Sequence, residues 1–359
     1  MSAVPRSLAP AVADTALVLL GTGVVGGALL KLLATPSAER LYLVGAANSR
    51  RQIANARGIV PAQVVAQLGQ AEPGRDDASL LAALNASGAA RRVIIDATAS
   101  ADEAGRHADW LAAGYHVVSA NKAATGEALA AWDALKLASH RGRVSYGDAA
   151  TVGAGLPVLS TLRRLRDCGD RLLALDGVFS GSLSWLFNQF DGSRPFSALL
   201  REARAFGYTE PDPRIDLGGA DVARKLLILA RTAGHALDVA DVEVESLVPA
   251  QLRGLSLDEF LTRLEEFDAP LEQRRQQAAA EGKLLRFLAR LDEKGHARVG
   301  LTEVASTHPA ARLAGADNLF ALTTQRYRAQ PLVIQGAGAG PEVTAQALLG
   351  DVLALRVGV

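Results

Sequence analysis

Residues 16–33 read ALVLLGTGVVGGALLKLL, and this run limits the fold more than any other part of the chain. Consecutive apolar residues of this kind suit a strand buried on both faces. Glycines follow at 21, 23 and 26, and from Gly27 the apolar residues fall at helical spacing. A strand, a glycine turn and a helix in that order fit a parallel sheet covered on both sides. In such a turn Gly21 allows the tight bend, Gly23 leaves room for a pyrophosphate, and Gly26 lets helix and strand approach closely. The phosphates would lie against the helix N-terminus, where N–H groups are unpaired. Gly21, Thr22, Gly23, Val24, Val25 and Gly26 are therefore candidate cofactor-binding residues. The alternative is a turn that is merely rich in glycine.

Strand-like runs recur at 41–47, 93–98, 115–119 and 144–146. The expected fold class is α/β, with a Rossmann-type doubly wound nucleotide-binding domain over 1–150. After the second strand an NAD enzyme places a ribose-binding acid. This chain has Asn48-Ser49-Arg50-Arg51 there instead. Two guanidinium groups and no carboxylate favour a 2′-phosphate, hence NADP(H) preferred with NAD(H) as second choice. Both arginines as solvated loop residues is the alternative. Ligands of doubly wound sheets bind outside the carboxyl ends of strands, and Thr98, Ala99, Ser119 and Lys122 fall there. No role is assigned to 57–90. From 151 to 335 the pattern is that of an α+β domain, with strands expected at 172–180, 283–292, 297–304 and 318–324. Gly336-Ala-Gly-Ala-Gly340 opens a final helix.

The most chemically loaded stretch is GYTEPDPRIDLGGADVARKLLILAR, 207–231. Pro211 and Pro213 exclude ordinary helix or central strand. Gly218 and Gly219 then punctuate the loop, and Val222, Leu226, Leu229 and Ala230 repeat as one buried helical stripe. Asp221 is expected to open that helix, with Lys225 one turn later on the same face. A surface ion pair would explain those two alone. Glu210, Asp212 and Asp216, pinned beside them by proline and glycine, read rather as a site.

Composition narrows the function. Among 359 residues charge balances to zero and 49% are hydrophobic, so neither nucleic acid nor an anionic membrane is an expected partner. The start, MSAVPRSLAPAVAD, reads as a loose tail rather than a signal peptide. One cysteine, Cys168, permits no internal disulfide and fits a reducing cytoplasm.

Several blocks, in order along the chain, resemble homoserine dehydrogenases. They are GTGVVG at 21–26, SANKAA at 119–124, TVGAGLPV at 151–158, GVFSGSLSWLFNQFDGS at 177–193, the 207–231 stretch, VESLVPA at 244–250 and VIQGAGAGPEVTA at 333–345. The flavour is that of the dehydrogenase part of bifunctional aspartokinase–homoserine dehydrogenases, with no kinase domain or regulatory tail expected here. The resemblance implies reversible hydride transfer between NAD(P)H and L-aspartate-4-semialdehyde, giving L-homoserine. It implies that 151–335 binds substrate and forms a homodimer, and that 336–359 rejoins the nucleotide-binding domain. Carried over, Lys225 and Lys122 match the two lysines near the reacting carbonyl. Glu210 matches the acid at the substrate's amino end, with Asp216 and Asp221 as further polar partners. Thr98 and Gly340 match positions near the nicotinamide.

The resemblance also implies a monovalent cation, sodium or potassium, on the backbone carbonyls of Val152, Ala154 and Leu156. The family often has a polar or acidic side chain three residues before the valine. Here that position is Ala149, and Asp148 is displaced by one. Competing readings fare worse. A phosphorylating aldehyde dehydrogenase needs an activated cysteine, and Cys168 lies away from every motif, expected on a surface turn. None of the six histidines falls at an expected strand end within the motifs, which argues against a histidine base. A non-catalytic NADP sensor would have no reason to keep Lys122, Glu210, Asp221 and Lys225 together.

Overall fold

The computed structural model describes residues 14–355, so the expected loose tail lies outside the described residues except for Asp14. The chain divides into two compact units. One runs up to Gly155 and resumes at Gly340; the other is Leu156–Ala339.

The first unit is built on a six-stranded sheet. Its strands are β1 (Thr15–Leu20), β2 (Leu41–Ala47), β3 (Gln52–Ile59), β4 (Arg91–Asp96), β5 (His116–Ser119) and β6 (Tyr146–Gly147), in the order β3-β2-β1-β4-β5-β6. All neighbours are parallel except β2 and β3. Strand alternation sends Leu17 and Leu19 to one face, with Leu43, Val93 and Ile95, and Ala16, Val18 and Leu20 to the other, with Ile94 and Val117. On the first face lie the helices Val24–Leu33 and Pro341–Ala354, which bury Leu29, Leu30, Leu348 and Val352. On the second lie Asp77–Ala86, His107–Ala112 and Leu129–Gly142. Each fully buried leucine contributes about 1.5–3 kcal/mol, so both layers are held by their apolar stripes. The sheet reverses direction of growth between β1 and β4, and the crevice outside their carboxyl ends is where such folds bind ligands.

β3 is a departure from the sequence reading, which left the region after Arg57 without a role. It is an antiparallel edge strand whose Ala54, Asn55 and Arg57 are exposed, the last two polar, so no apolar alternation announces it. Farther on, Arg75 pairs with Asp77 at 2.7 Å and with Glu103, fixing the loop before Asp77–Ala86.

The second unit carries another six-stranded sheet: β7 (Leu172–Val178), β8 (Val242–Val244), β9 (Lys283–Asp292), β10 (Ala297–Ala305), β11 (Asn318–Thr324) and β12 (Leu332–Gly336). Their order is β12-β11-β7-β9-β10-β8, antiparallel except between β10 and β8. The short edge strands β8 and β12 escaped the sequence reading. Helices Gly181–Gln189, Phe196–Ala205, Ala220–Ala233 and Asp268–Ala280 belong to this unit. Its core is aromatic: Phe179 stacks on Phe320 at 4.7 Å, and Phe196 packs against Phe187 and Phe267.

Candidate active site

In the first unit the glycine turn has the shape the sequence called for. Gly21 has φ +89°, and a Cβ there would meet the Ala97 backbone and the Thr98 methyl at 2.9 Å. A Cβ at Gly26 would lie 1.9 Å from the Gly21 carbonyl oxygen. Gly23 faces open space, with no heavy atom within 4 Å of a built Cβ. The helix that follows starts at Val24, three residues earlier than the spacing suggested, and no side chain caps it. Its first N–H groups therefore face the open side of the turn beside exposed Val24. These features fit a dinucleotide pyrophosphate.

Beside Thr22 a cavity of about 360 Å³ is lined by Asn48, Arg50, Arg51, Val65, Leu68 and Gly69. The four residues Asn48 to Arg51 form the turn between β2 and β3, where Asn48 Oδ1 accepts the N–H groups of Arg50 (2.8 Å) and Arg51 (2.9 Å). The two arginines differ. Arg51 donates to the carbonyls of Leu68 and Gly69, whereas Arg50 is exposed.

At the end of β4, Thr98 donates its N–H to Asp96 Oδ1 at 2.8 Å, and Ala99 is exposed. After β5, Lys122 is half-buried and precedes the single turn Ala123–Gly126. Gly340, with φ +130°, starts the last helix. In the loop after β6, Asp351 accepts the Ala149 N–H at 2.9 Å, Asp148 is buried, and Ala154 is left-handed with φ 50°. The Leu156 carbonyl already accepts the Val158 N–H at 2.8 Å.

The second unit assembles the acid-rich stretch. Lys225 is only 12% exposed, and its Nζ donates to the Phe179 carbonyl at 2.7 Å while lying 2.8 Å from Asp221 Oδ2. Val222, Leu226, Leu229 and Ala230 form the buried stripe beneath it. Asp221 does not itself cap the helix: Gly219, with φ +75°, is the N-cap, and Asp221 lies in the first turn. Its carboxylate is thus left for Lys225. Asp216 sits in the short helix Arg214–Leu217 and accepts from Ser182 Oγ (2.7 Å) and from the Glu210 N–H (2.8 Å). Ser182 and its neighbour Ser180, which caps Gly181–Gln189, were not singled out from the sequence. Their place in the SGSLS run, 180–184, was the available signal. Glu210 presents an exposed carboxylate.

Asp212 departs from the sequence reading. It does not join the other acids but is held by Arg214, with contacts of 2.7–3.1 Å. That hydrogen-bonded guanidinium keeps the Asp212 carboxyl below its ordinary range. Arg214 continues to the Leu255 carbonyl and lies over the Phe260 ring, so the pair braces the loop. Cys168 is exposed at the end of Val158–Asp167.

Sequence reasoning also missed a buried group in the first unit. His107, fully buried, lies 3.0 Å from Asp96 Oδ2 and 3.0 Å from the Tyr146 hydroxyl. A lone acid ending an apolar strand, and a histidine on the stripe of Trp110 and Leu111, were its signals.

Known proteins share this arrangement of segments. Residues 157–353, more than half the chain, match the homoserine dehydrogenase family model, and 21–146 match the model of the homoserine dehydrogenase NAD binding domain. The Escherichia coli bifunctional aspartokinase/homoserine dehydrogenase 2 is 42% identical over 94% of this chain, and the match covers 42% of that protein. The chain spans only 38–42% of the length of the bifunctional relatives from Zea mays and Escherichia coli. Homoserine dehydrogenase of Saccharomyces cerevisiae is 39% identical over 93% of this chain and 96% of its own length. The solved structure of a hyperthermophilic archaeal homoserine dehydrogenase in complex with NADPH shares the fold, with a TM-score of 0.73 at 18% identity over 95% of this chain and 97% of that one. No helix among the described residues is long and apolar enough to cross a membrane. With two models of one family matched in sequence order and a relative aligned along nearly its whole length, this chain belongs to the homoserine dehydrogenase family.

Proposed function

We propose that the chain catalyses reversible, NAD(P)H-dependent reduction of L-aspartate-4-semialdehyde to L-homoserine, a step of aspartate-family amino-acid biosynthesis. The observation that carries this reading is a mostly buried lysine, Lys225, held by Asp221 and the Phe179 carbonyl, in the same unit as Asp216, which anchors the backbone of Glu210. A small zwitterionic aldehyde needs that combination. Its ammonium needs acids, and its carbonyl needs a proton or positive charge as the bond polarises.

When bound, the nicotinamide supplies or accepts the hydride. In the reducing direction hydride adds to the aldehyde carbon, the carbonyl electron pair moves to oxygen, and that oxygen takes a proton. Lys225 Nζ is assigned that proton, or the charge that stabilises the developing alkoxide, and Lys122 assists. Glu210 receives the substrate's ammonium, while Asp216 holds the Glu210 backbone and Asp221 holds the lysine. The residues from Gly21 to Gly26 and the open side at Gly23 take the pyrophosphate. Thr98, Ala99 and Gly340 would hold the nicotinamide, and Arg50, in the turn fixed by Asn48, would take a 2′-phosphate. The exposed Arg50 in that turn supports NADP(H) over NAD(H). Sodium or potassium is assigned to the backbone carbonyls of Val152, Ala154 and Leu156. The reading includes a homodimer, as the resemblance implies, and a reducing cytoplasm, which the single cysteine fits.

The test is L-homoserine-dependent reduction of NADP⁺ and of NAD⁺ by the purified chain, followed by absorbance. Turnover that favours NADP⁺ is expected. Binding of NADPH without turnover on either cofactor would replace the enzyme reading with that of a sensor.

A further inference from the structure

The first unit contains a buried polar group that the reaction above leaves without a part. Asp96 ends β4 after the apolar Val93, Ile94 and Ile95, and it is fully buried. A carboxylate in that place is costly unless donors surround it. Three do. Thr98 N–H reaches Oδ1 at 2.8 Å, and Asn121 Nδ2 and His107 Nε2 each reach Oδ2 at 3.0 Å.

The network extends both inwards and outwards. Inwards, His107 Nδ1 meets the Tyr146 hydroxyl at 3.0 Å. Desolvation, with Asp148's charge adding to it, holds the Tyr146 phenol well above its ordinary range, so it remains a proton donor. The hydrogen bonds close with Nε2–H on Asp96 and Nδ1 accepting from the phenol. Outwards, Asn121 donates to the Ser100 carbonyl at 2.7 Å and accepts the Ala123 N–H at 3.1 Å. It therefore ties the turn after β4 to the turn after β5. Those turns carry Thr98 and Lys122 at the carboxyl ends of the strands, the side on which doubly wound sheets bind ligands.

An apolar residue would close β4 with less desolvation. What the acid adds is a fixed relation between two turns. We propose that Asp96, His107 and Asn121 are positioning residues for hydride transfer, locking both turns so that Thr98 and Lys122 meet the nicotinamide and substrate in one geometry. This rests on the dehydrogenase reading above. His107 is then no base: it acts only through Asp96.

The experiment compares His107→Phe, His107→Gln and Tyr146→Phe with the wild-type chain. It measures kcat, KM for both substrates, the primary isotope effect with NADPH deuterated at the transferred position, and thermal melting. His107→Phe deletes both hydrogen bonds; His107→Gln returns a donor to Asp96. Loss of geometry lowers kcat about 10- to 100-fold for His107→Phe and enlarges the isotope effect, with His107→Gln recovering most of the loss. A purely structural role would lower only the folded fraction, leaving KM and the isotope effect unchanged. A folded His107→Phe with wild-type kcat and isotope effect overturns the proposal, as does a glutamine variant no better than phenylalanine. Should His107→Phe not fold, Tyr146→Phe decides, with a drop of about threefold or more expected and an unchanged kcat and isotope effect overturning the proposal. A wild-type chain inactive with L-homoserine overturns both readings; an active one with an unaffected variant overturns only this one.

Discussion

The Lys225 ammonium lies 2.8 Å from Asp221 Oδ2, one helical turn earlier. On an exposed helix such a pair contributes only about 0.3–0.5 kcal/mol and would say little. Here the lysine is 12% exposed and also donates to the Phe179 carbonyl, so two elements fix one ammonium. A side chain with four rotatable bonds is held in a single direction, at an entropic cost that a solvated surface lysine does not bear.

Gly23 and Gly26 should respond differently to one added methyl group. Gly26→Ala drives a Cβ to 1.9 Å from the Gly21 carbonyl oxygen, a backbone atom that cannot turn aside. It should lower stability by about 1–3 kcal/mol or prevent folding, read by chemical denaturation. Gly23→Ala meets nothing in the protein and should change stability by less than about 0.5 kcal/mol. It should instead raise KM for NADP⁺, because the methyl would enter the open space proposed for the pyrophosphate.

Arg50 and Arg51 are adjacent but should separate cofactor choice from stability. Arg50 is exposed and Arg51 is spent on the Leu68 and Gly69 carbonyls. Arg50→Ala should lower kcat/KM for NADP⁺ about tenfold or more while leaving NAD⁺ nearly unchanged, the size expected for one lost charge-assisted hydrogen bond. Arg51→Ala should shift the melting temperature more than the cofactor ratio.

Asp212 gives the acid-rich loop a pH dependence. Its hydrogen bonds to Arg214 depress its folded-state pKa below that of the unfolded chain. The resulting stabilisation is fully present above the ordinary carboxylate pKa and fades as pH falls through the lower folded value. Amide protection factors across 207–219, that is, exchange corrected for its pH-dependent intrinsic rate, should therefore fall on acidification in the wild type. In Asp212→Asn they should already be low at neutral pH and change less, whereas equal pH profiles would remove Asp212 from the account.

Much of this was legible because local rules and the fold agree. The β1 strand, the glycine turn and the stripe Val222–Leu226–Leu229–Ala230 are each visible as a period or a spacing. The errors have physical causes. β3 is a polar edge strand and lacks buried alternation. Asp221 was read as opening its helix, but Gly219 adopts a left-handed conformation that starts the helix two residues sooner. Asp212 looked like a fourth site acid because a sequence cannot show that Arg214, two residues on, folds back onto it. His107 was set aside for not ending a strand, yet it reaches Asp96, which does.

The central claim is that Lys225 carries the proton or charge required at the reacting oxygen. The most direct measurement is semialdehyde reduction by Lys225→Met, which keeps most of the apolar stem, compared with wild type at equal folded concentration and saturating NADPH. The account predicts a fall in kcat of about a hundredfold or more, with NADPH affinity unchanged. A folded Lys225→Met that turns over within a few-fold of wild type would contradict it.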